Sequence, residues 1–139
     1  MSKPEEKGMN VPGDLLYTED HEWIRLTDDK TGICGITDHA QNALGDIVFV
    51  EFLSNIVHSK VSKRETVAVV ESPKAASDVY SPAPGTITTV NRTLEESPEL
   101  INKDPYGDGW LFKMEIADRS SLDSLLKPSE YMNLIKDGN

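Results

Sequence analysis

Apolar and polar residues alternate along much of the middle of the chain, with the period of two that is typical of half-buried β-strands. This alternation predicts a first hairpin made of Trp23–Leu26 and Ile33–Ile36, joined by a polar turn that ends at Gly32. Stretches rich in β-branched and aromatic residues predict the other strands, which are Asp46–Leu53, Thr66–Glu71, Ala76–Tyr80, Thr86–Val90 and Trp110–Ile116. The pattern therefore predicts a mainly β body.

Helical signals are short and lie between the strands or after them. Thr37 or Asp38 can cap a helix that runs to Leu44, and Gly45 can end it. Three further segments have helical character, which are a single turn at Ser97–Asn102, a helix at Leu122–Lys127, and a helix at Ser129–Lys136 capped by Ser129 and stopped by Gly138. Strands in the body and helices at the end indicate a small barrel or sandwich with helical additions.

The size and charge of the chain limit the number of domains and the kinds of partner that it can have. Its 139 residues suit one domain, for which we expect a flexible arm at residues 1–14 and a single folded domain at residues 15–139. The net charge of -10 disfavours nucleic acid as a partner. No apolar run approaches the roughly 20 residues of a membrane-spanning helix. The first residues resemble neither a signal peptide nor a transit peptide, which favours the bacterial cytoplasm, or the mitochondrial matrix in a eukaryote.

Metal and nucleophile chemistry find little support in the sequence. The single cysteine, Cys34, lies among apolar neighbours and is expected to be a buried strand residue. His21, His39 and His58 lack the spacing of metal ligands, so no metal site is predicted. Because no nucleophile with its base and no phosphate-binding loop is present, a stand-alone enzyme is disfavoured.

One lysine stands at a predicted turn between two strands. Proline suits the second position of a type I turn because its φ is fixed, so Ser72–Ala75 is predicted to turn with Lys74 near the apex. A lysine there is solvated and its amine is open to a modifying enzyme. The alternative is that Lys74 only makes a hairpin tip more polar, and spacing alone does not decide between the two.

Several motifs in order along the chain carry a family resemblance. They are Tyr17–Trp23, Gly35–Gln41, Leu44–Val48, Glu71–Ser72, Lys74–Asp78, Ser81–Pro82, Gly85, Asn91, Ser97–Asn102, Asp104–Leu111 and Glu130–Tyr131. Over Tyr17 to Ile135 the sequence resembles the glycine cleavage system H proteins, which are lipoyl carriers. That resemblance implies a lipoyl/biotinyl-type barrel-sandwich hybrid of two antiparallel sheets, with short helices that include a C-terminal helical segment.

The resemblance also implies a site. The family's lipoate-bearing lysine falls in a Glu-Ser-x-Lys-Ala-Ala-Ser motif, and the matching residue here is Lys74. Around it, Glu71, Ser72, Ala75 and Asp78 are expected to be recognised by the ligase that attaches lipoate. Glu19, His21 and Trp23 are candidates for contacts with a protective groove or a partner, although Trp23 is better explained as a core residue.

Partners follow from the same resemblance. It implies a non-catalytic, monomeric carrier that moves an aminomethyl group from the pyridoxal-phosphate-dependent glycine decarboxylase to the tetrahydrofolate-dependent aminomethyltransferase. Dihydrolipoamide dehydrogenase would reoxidise the lipoyl group, and a lipoate ligase or lipoyl transferase would attach it. Two alternatives are a biotin carrier, disfavoured because Pro73 and Ala75 rather than methionines flank Lys74, and a lipoyl donor or relay for 2-oxoacid dehydrogenase complexes.

Two positions depart from the pattern of the family. Pro73 stands where the family usually has valine, directly before the lysine. The family's proline and glycine in the connection before Val67 are replaced by Ser54–Ser59 and by Arg64. Pro73 is compatible with the predicted turn, but it removes an N–H group and an apolar side chain from the tip.

Overall fold

Strands hold more residues than helices in this computed structural model, which describes residues 5–6 and 9–137. The strands are β1 (Glu5–Glu6), β2 (Met9–Asn10), β3 (Leu16–Tyr17), β4 (Glu22–Leu26), β5 (Thr31–Ile36), β6 (Phe49–Phe52), β7 (Lys60–Val61), β8 (Thr66–Ser72), β9 (Ala75–Tyr80), β10 (Gly85–Val90) and β11 (Phe112–Ile116). The helices are α1 (Asp38–Leu44), α2 (Thr93–Glu96), α3 (Leu100–Lys103), a 3₁₀ helix (Arg119–Ser124) and α4 (Pro128–Lys136).

The strands form two main antiparallel sheets. One has six strands in the order β3-β4-β5-β11-β10-β7, and the other has three in the order β6-β8-β9. β1 and β2 form a separate small hairpin. The main core takes buried side chains from both sheets, among them Cys34 and Phe112 of the larger sheet and Val67 and Val70 of the smaller one. The predicted mainly β fold of two antiparallel sheets with short helices is confirmed, in a sandwich-like arrangement.

The C-terminal helix α4 covers one edge of this sandwich. Its buried residues, Tyr131 and Ile135, pack with Val11, Leu15 and other residues in a second core cluster that also contains Tyr17 and Trp23. The side chains of Val11 and Leu15 are only 2% and 3% exposed. The predicted stop at Gly138 lies outside the described residues and stays a prediction. The predicted division into an arm at 1–14 and a domain at 15–139 also stays a prediction, and of the arm the structure leaves residues 1–4 and 7–8 undescribed.

The structure corrects the predicted helix at Leu122–Lys127. The chain forms a 3₁₀ helix at Arg119–Ser124, after which Leu125 is extended and Leu126 pairs with Tyr17 through hydrogen bonds of 2.9 and 2.7 Å. Pro128 explains the change, because a residue before proline is pushed out of the helical region. The predicted cap at Ser129 is also wrong, since Lys127 is the N-cap and its N–H donates to Glu130 Oε1 at 2.8 Å.

The predicted early elements are confirmed. β4 and β5 pair from Glu22–Ile36 to Leu26–Gly32, as the alternation indicated. Helix α1 has Thr37 as its N-cap, with Thr37 Oγ1 accepting from Ala40 N, and Gly45 as its C-cap. Cys34 is buried in β5, and burial raises the pKa of its thiol well above the ordinary value. In the described part of the chain, no helix is both long and apolar enough to cross a membrane.

Candidate functional site

Lys74 lies at the tip of the hairpin formed by β8 and β9. Ser72 pairs with Ala75, so Pro73 and Lys74 are the two residues of the turn. Neither has a positive φ, which agrees with the predicted type I turn and with the fixed φ of proline. Pro73, Lys74 and Ala75 are all exposed. The local sequence thus places an exposed lysine side chain at the tip of the smaller sheet.

The amine of Lys74 has no partner in the described part of the chain. No hydrogen bond or ion pair holds it there. Its stem runs past the end of α1, where Cε lies 3.9 Å from the position that a Cβ would take on Gly45. Gly45 has φ of 86°, a conformation that favours glycine. The amine is therefore exposed and unpaired among the described residues.

The four residues expected to be recognised by a ligase divide between the two faces of the hairpin. Glu71 pairs with Ala76 and Val69 pairs with Asp78, so Glu71 and Asp78 lie diagonally on one face. Ser72 and Ala75 pair on the other face, where Ser72 is buried and its Oγ donates to Ala75 O at 3.3 Å. The structure therefore presents two carboxylates below Lys74, whereas the Ser72 hydroxyl lies inside the turn.

Exposed apolar side chains lie beside this hairpin at the start of the edge strand β6. Phe49 pairs with Glu71, and the N–H of Val48 donates to Glu71 O at 2.8 Å. The side chains of Val48 and Phe49 are 56% and 50% exposed. The sequence does not indicate this surface, because an apolar run in a strand does not tell which of its residues face outward. The apolar pair and the carboxylates give the tip a mixed surface that a partner enzyme can contact.

A polar cavity of about 340 Å³ lies near the far end of β9. Its lining includes Glu19, Asp20, Glu22, Lys63 and Arg64. Glu19, a candidate for groove contacts, therefore lies in the lining of a cavity. Glu22 is not among the residues predicted to contact a groove, although its two neighbours, His21 and Trp23, are.

Glu22 is a buried carboxyl that joins the two sheets. It is 2% exposed, accepts from Thr18 Oγ1 at 2.7 Å, and accepts from the backbone N–H of Tyr80 at 2.9 Å. Burial raises its pKa to about 7, although both hydrogen bonds favour the ionised form. Since Tyr80 ends β9 and Lys74 immediately precedes that strand, the cavity lined by Glu22 lies at the opposite end of the strand from Lys74.

Arg64 stands at the rim of the same cavity. Its Nε and Nη2 donate to the two oxygens of Asp20 at 2.7 and 3.0 Å, which is a bidentate pair. Its guanidinium carbon lies 4.7 Å from the ring centroid of Tyr80. Arg64 has φ of 69°, so it holds the left-handed conformation in which glycine is favoured.

His21 and Trp23 lie in or beside the second core cluster. Trp23 is fully buried, and its Nε1 donates to Ile36 O at 3.0 Å and Pro105 O at 3.1 Å, so its role is structural. His21 Nδ1 is 2.8 Å from the hydroxyl of Tyr131, and its ring is 4.7 Å from that of His39. Burial and His39 lower the pKa of His21. No set of three or more metal-ligating side chains comes together within the described residues.

Comparison with known proteins supports the resemblance carried by these residues. The family model described as glycine cleavage H-protein matches residues 15–138. The chain belongs to this family. A glycine cleavage system H protein of Psychrobacter sp. is 52% identical over 122 residues, covering 88% of this chain and 95% of that protein. One from Carboxydothermus hydrogenoformans is 49% identical over 127 residues, covering 91% and 95%.

The family fold is also seen in a solved structure. The crystal structure of a glycine cleavage system H protein from Mycobacterium marinum superposes with a TM-score of 0.81 at 40% identity. The match covers 93% of this chain and all of that one. Family membership therefore rests on the whole folded part of the chain rather than on the Lys74 motif alone.

Proposed function

We propose that this chain is the lipoyl carrier of the glycine cleavage system, with lipoate joined to the Lys74 amine as an amide. The observation that carries the proposal is the exposed Lys74, whose amine has no partner in the described part of the chain. Membership of the glycine cleavage H-protein family supports it. When bound, lipoate supplies a redox-active pair of sulfurs that can take up and release an aminomethyl group, a chemistry that protein side chains lack.

The residues near Lys74 fit the attachment of this group. The two-residue turn holds Lys74 at the end of the hairpin, and its side chain is exposed there. We assign Glu71 and Asp78 to recognition by the lipoate ligase or lipoyl transferase, because both lie on one face below the amine. Ser72 and Ala75 act on the other face, where Ser72 closes the turn.

The carrier would visit three enzymes, which are glycine decarboxylase, the aminomethyltransferase and dihydrolipoamide dehydrogenase. Val48 and Phe49 offer apolar contact area beside the tip, and Glu71 and Asp78 offer charge. A carrier that presents one tip to several active sites gains from being a monomer. We therefore propose a non-catalytic, monomeric carrier that works in the bacterial cytoplasm.

The cavity near Glu22 is proposed to shelter the amine-bearing end of the loaded arm. Strand β9 runs from the tip to this cavity, so the cavity lies along the surface that the arm can follow. Asp20 and Glu22 place carboxyl groups in its lining, which suits a positively charged amine. Removing the amine from bulk water there would slow its loss by hydrolysis.

The intact mass of the protein tests the attachment site. After incubation with lipoate, ATP and a lipoate ligase, the wild-type chain should gain the mass of one lipoyl group, and Lys74→Arg should gain none. Lys60→Arg is the matched control, since Lys60 is also exposed, and it should be modified like the wild type. A lipoyl gain by Lys74→Arg would overturn the assignment.

A second measurement separates glycine cleavage from a lipoyl relay. The lipoylated protein should support exchange of the glycine carboxyl group with labelled bicarbonate when glycine decarboxylase is added. If exchange fails while the lipoyl group is transferred to a 2-oxoacid dehydrogenase lipoyl domain, the relay is the function. The two readouts use the same modified protein, so they compare the alternatives directly.

A further inference from the structure

Arg64 combines three features at the rim of the Glu22 cavity. It forms a bidentate pair with Asp20, it lies over the ring of Tyr80, and it has a left-handed backbone. The left-handed backbone costs free energy for a residue with a Cβ, and glycine would avoid that cost. The contacts of the guanidinium are therefore where a role for this arginine is to be sought.

The guanidinium of Arg64 is paired with Asp20, a carboxylate in the lining of the cavity. Of the two cationic residues in the lining, Lys63 donates to Ser124 Oγ at 3.1 Å, whereas Arg64 binds both oxygens of Asp20. The Arg64 side chain is 61% exposed and that of Asp20 is 30% exposed, so solvent reaches their pair and limits its contribution to stability. Such a pair can open without disturbing the fold, and an incoming cation can replace it.

We infer that Arg64 is an internal counter-ion of the Glu22 cavity, which a primary ammonium ligand must displace from Asp20 in order to bind. The inference rests on the proposed function for the identity of the natural ligand, the amine-bearing end of the arm. Competition by Arg64 weakens the hold of the cavity on that amine. The effect is to favour release of the load when a partner enzyme docks.

The unmodified protein is sufficient for a test, because the cavity is built from its own side chains. Methylammonium chloride serves as the probe, at pH 8 and with ionic strength held constant by sodium chloride. The reporter is the backbone amide of Tyr80 in ¹⁵N–¹H correlation spectra, since this N–H donates to Glu22. We expect a weak but saturable shift of this signal in the wild-type protein.

Two variants at the rim then measure the competition. Arg64→Gln removes the charge and keeps most of the side chain, and Arg64→Gly also relieves the left-handed backbone. Both should lower the dissociation constant for methylammonium by about two- to fivefold, the range expected for loss of an exposed ion pair. Agreement between them would attribute the effect to the charge rather than to the backbone.

Lys63→Gln is the matched control, because it also removes one positive charge from the lining but not from Asp20. It should change the dissociation constant much less than Arg64→Gln. Equal tightening by the two variants would show a general charge effect and overturn the inference. An unchanged constant in both Arg64 variants, or no saturable shift in any of the proteins, would overturn it as well.

This test is independent of the attachment of lipoate. If methylammonium binding depends on Arg64 while Lys74 fails to gain a lipoyl group, the cavity property stands and the carrier function falls. If lipoylation succeeds while Arg64 has no effect, the carrier function stands and the counter-ion role is lost.

Discussion

The hairpin tip and the cluster around Tyr131 differ in whether their polar groups have hydrogen-bond partners. At the tip, the amine of Lys74 has no partner among the described residues. In the cluster, the hydroxyl of Tyr131 lies 2.8 Å from His21 Nδ1 and 2.7 Å from Thr37 Oγ1, and its ring stacks on Tyr17 at 4.6 Å. The tip is exposed and the cluster is buried.

This difference separates the proposed function from stability. A buried polar group must be bonded because its desolvation is costly, so each member of the cluster contributes to the free energy of unfolding. An exposed lysine without a partner contributes little to stability but remains available for chemistry. Substitutions in the cluster should therefore change stability, and substitutions at the tip should change modification.

Trp23→Ala should produce the largest loss of stability. It removes a fully buried ring and leaves the carbonyls of Ile36 and Pro105 without their donor. Truncation of a large buried aromatic costs about 3–5 kcal/mol. Urea unfolding followed by circular dichroism measures the change, with Lys74→Arg as a control that should stay within about 0.5 kcal/mol of the wild type. A loss below about 1 kcal/mol would contradict the assignment of Trp23 to the core.

Glu22→Gln should change how stability depends on pH. The pKa of Glu22 is raised from 4.5 to about 7 in the folded protein, so the folded state holds this proton more tightly than the unfolded state. The stabilisation from that proton is fully present below pH 4.5 and is lost as the pH rises to about 7, a change of about 3 kcal/mol. The variant cannot ionise and should lack this change.

Urea unfolding at pH 5 and at pH 8 compares the two proteins. Their difference in unfolding free energy should shift in favour of Glu22→Gln at the higher pH, while the pH-independent cost of the altered hydrogen bonds cancels. Comparison of the difference also removes the opposing contribution of His21, whose lowered pKa makes stability fall as the pH decreases. A difference that does not change with pH would mean that Glu22 ionises normally.

Much of the fold follows from local sequence signals, whereas some elements depend on distant contacts. The β4–β5 and β8–β9 hairpins join neighbouring segments, and period-two alternation or turn chemistry predicts them. The pairing of Tyr17 with Leu126 joins residues far apart in the chain. That pairing holds the chain extended at Leu125 and Leu126, within the predicted helix, and no local pattern signals it. Pro128 is a local signal against a helix that continues to Lys127.

The candidate site likewise contains residues that the local sequence predicts and residues that only distant contacts bring together. Lys74 and its turn are predictable because Pro73 marks the turn, and the surrounding motif carries the family resemblance. Glu22 joins a cavity through the backbone of Tyr80, which is 58 positions away in the chain. The Tyr17–Trp23 motif pointed to the region, but only the fold distinguishes the buried Glu22 from its neighbour Glu19, which is exposed.

Tyr131→Phe should have an intermediate effect. It keeps the stack with Tyr17 but removes the hydroxyl that lies between His21 and Thr37. Loss of a hydrogen-bonded group in a buried site costs about 1–2 kcal/mol, which chemical denaturation at neutral pH measures. Tyr80→Phe is a matched control, because the hydroxyl of Tyr80 has no partner among the described residues. Equal losses in the two variants would show that the network contributes nothing specific.

Substitution of Pro73 should have the smallest effect on stability, and it tests whether the tip acts only through its shape. Pro73 occupies a turn position with negative φ, where proline restricts the unfolded chain. Pro73→Ala should lower the unfolding free energy by about 0.4–1 kcal/mol, and Pro73→Gly by more, because each step gives the unfolded chain more freedom. Urea unfolding and the rate of lipoyl gain by intact mass are measured on the same samples. If the rate of lipoyl gain follows stability through the series, Pro73 acts by shaping the turn. If the rate changes in Pro73→Ala while stability does not, the ligase contacts this side chain directly. The tip is then a specific recognition surface rather than only an exposed support for Lys74.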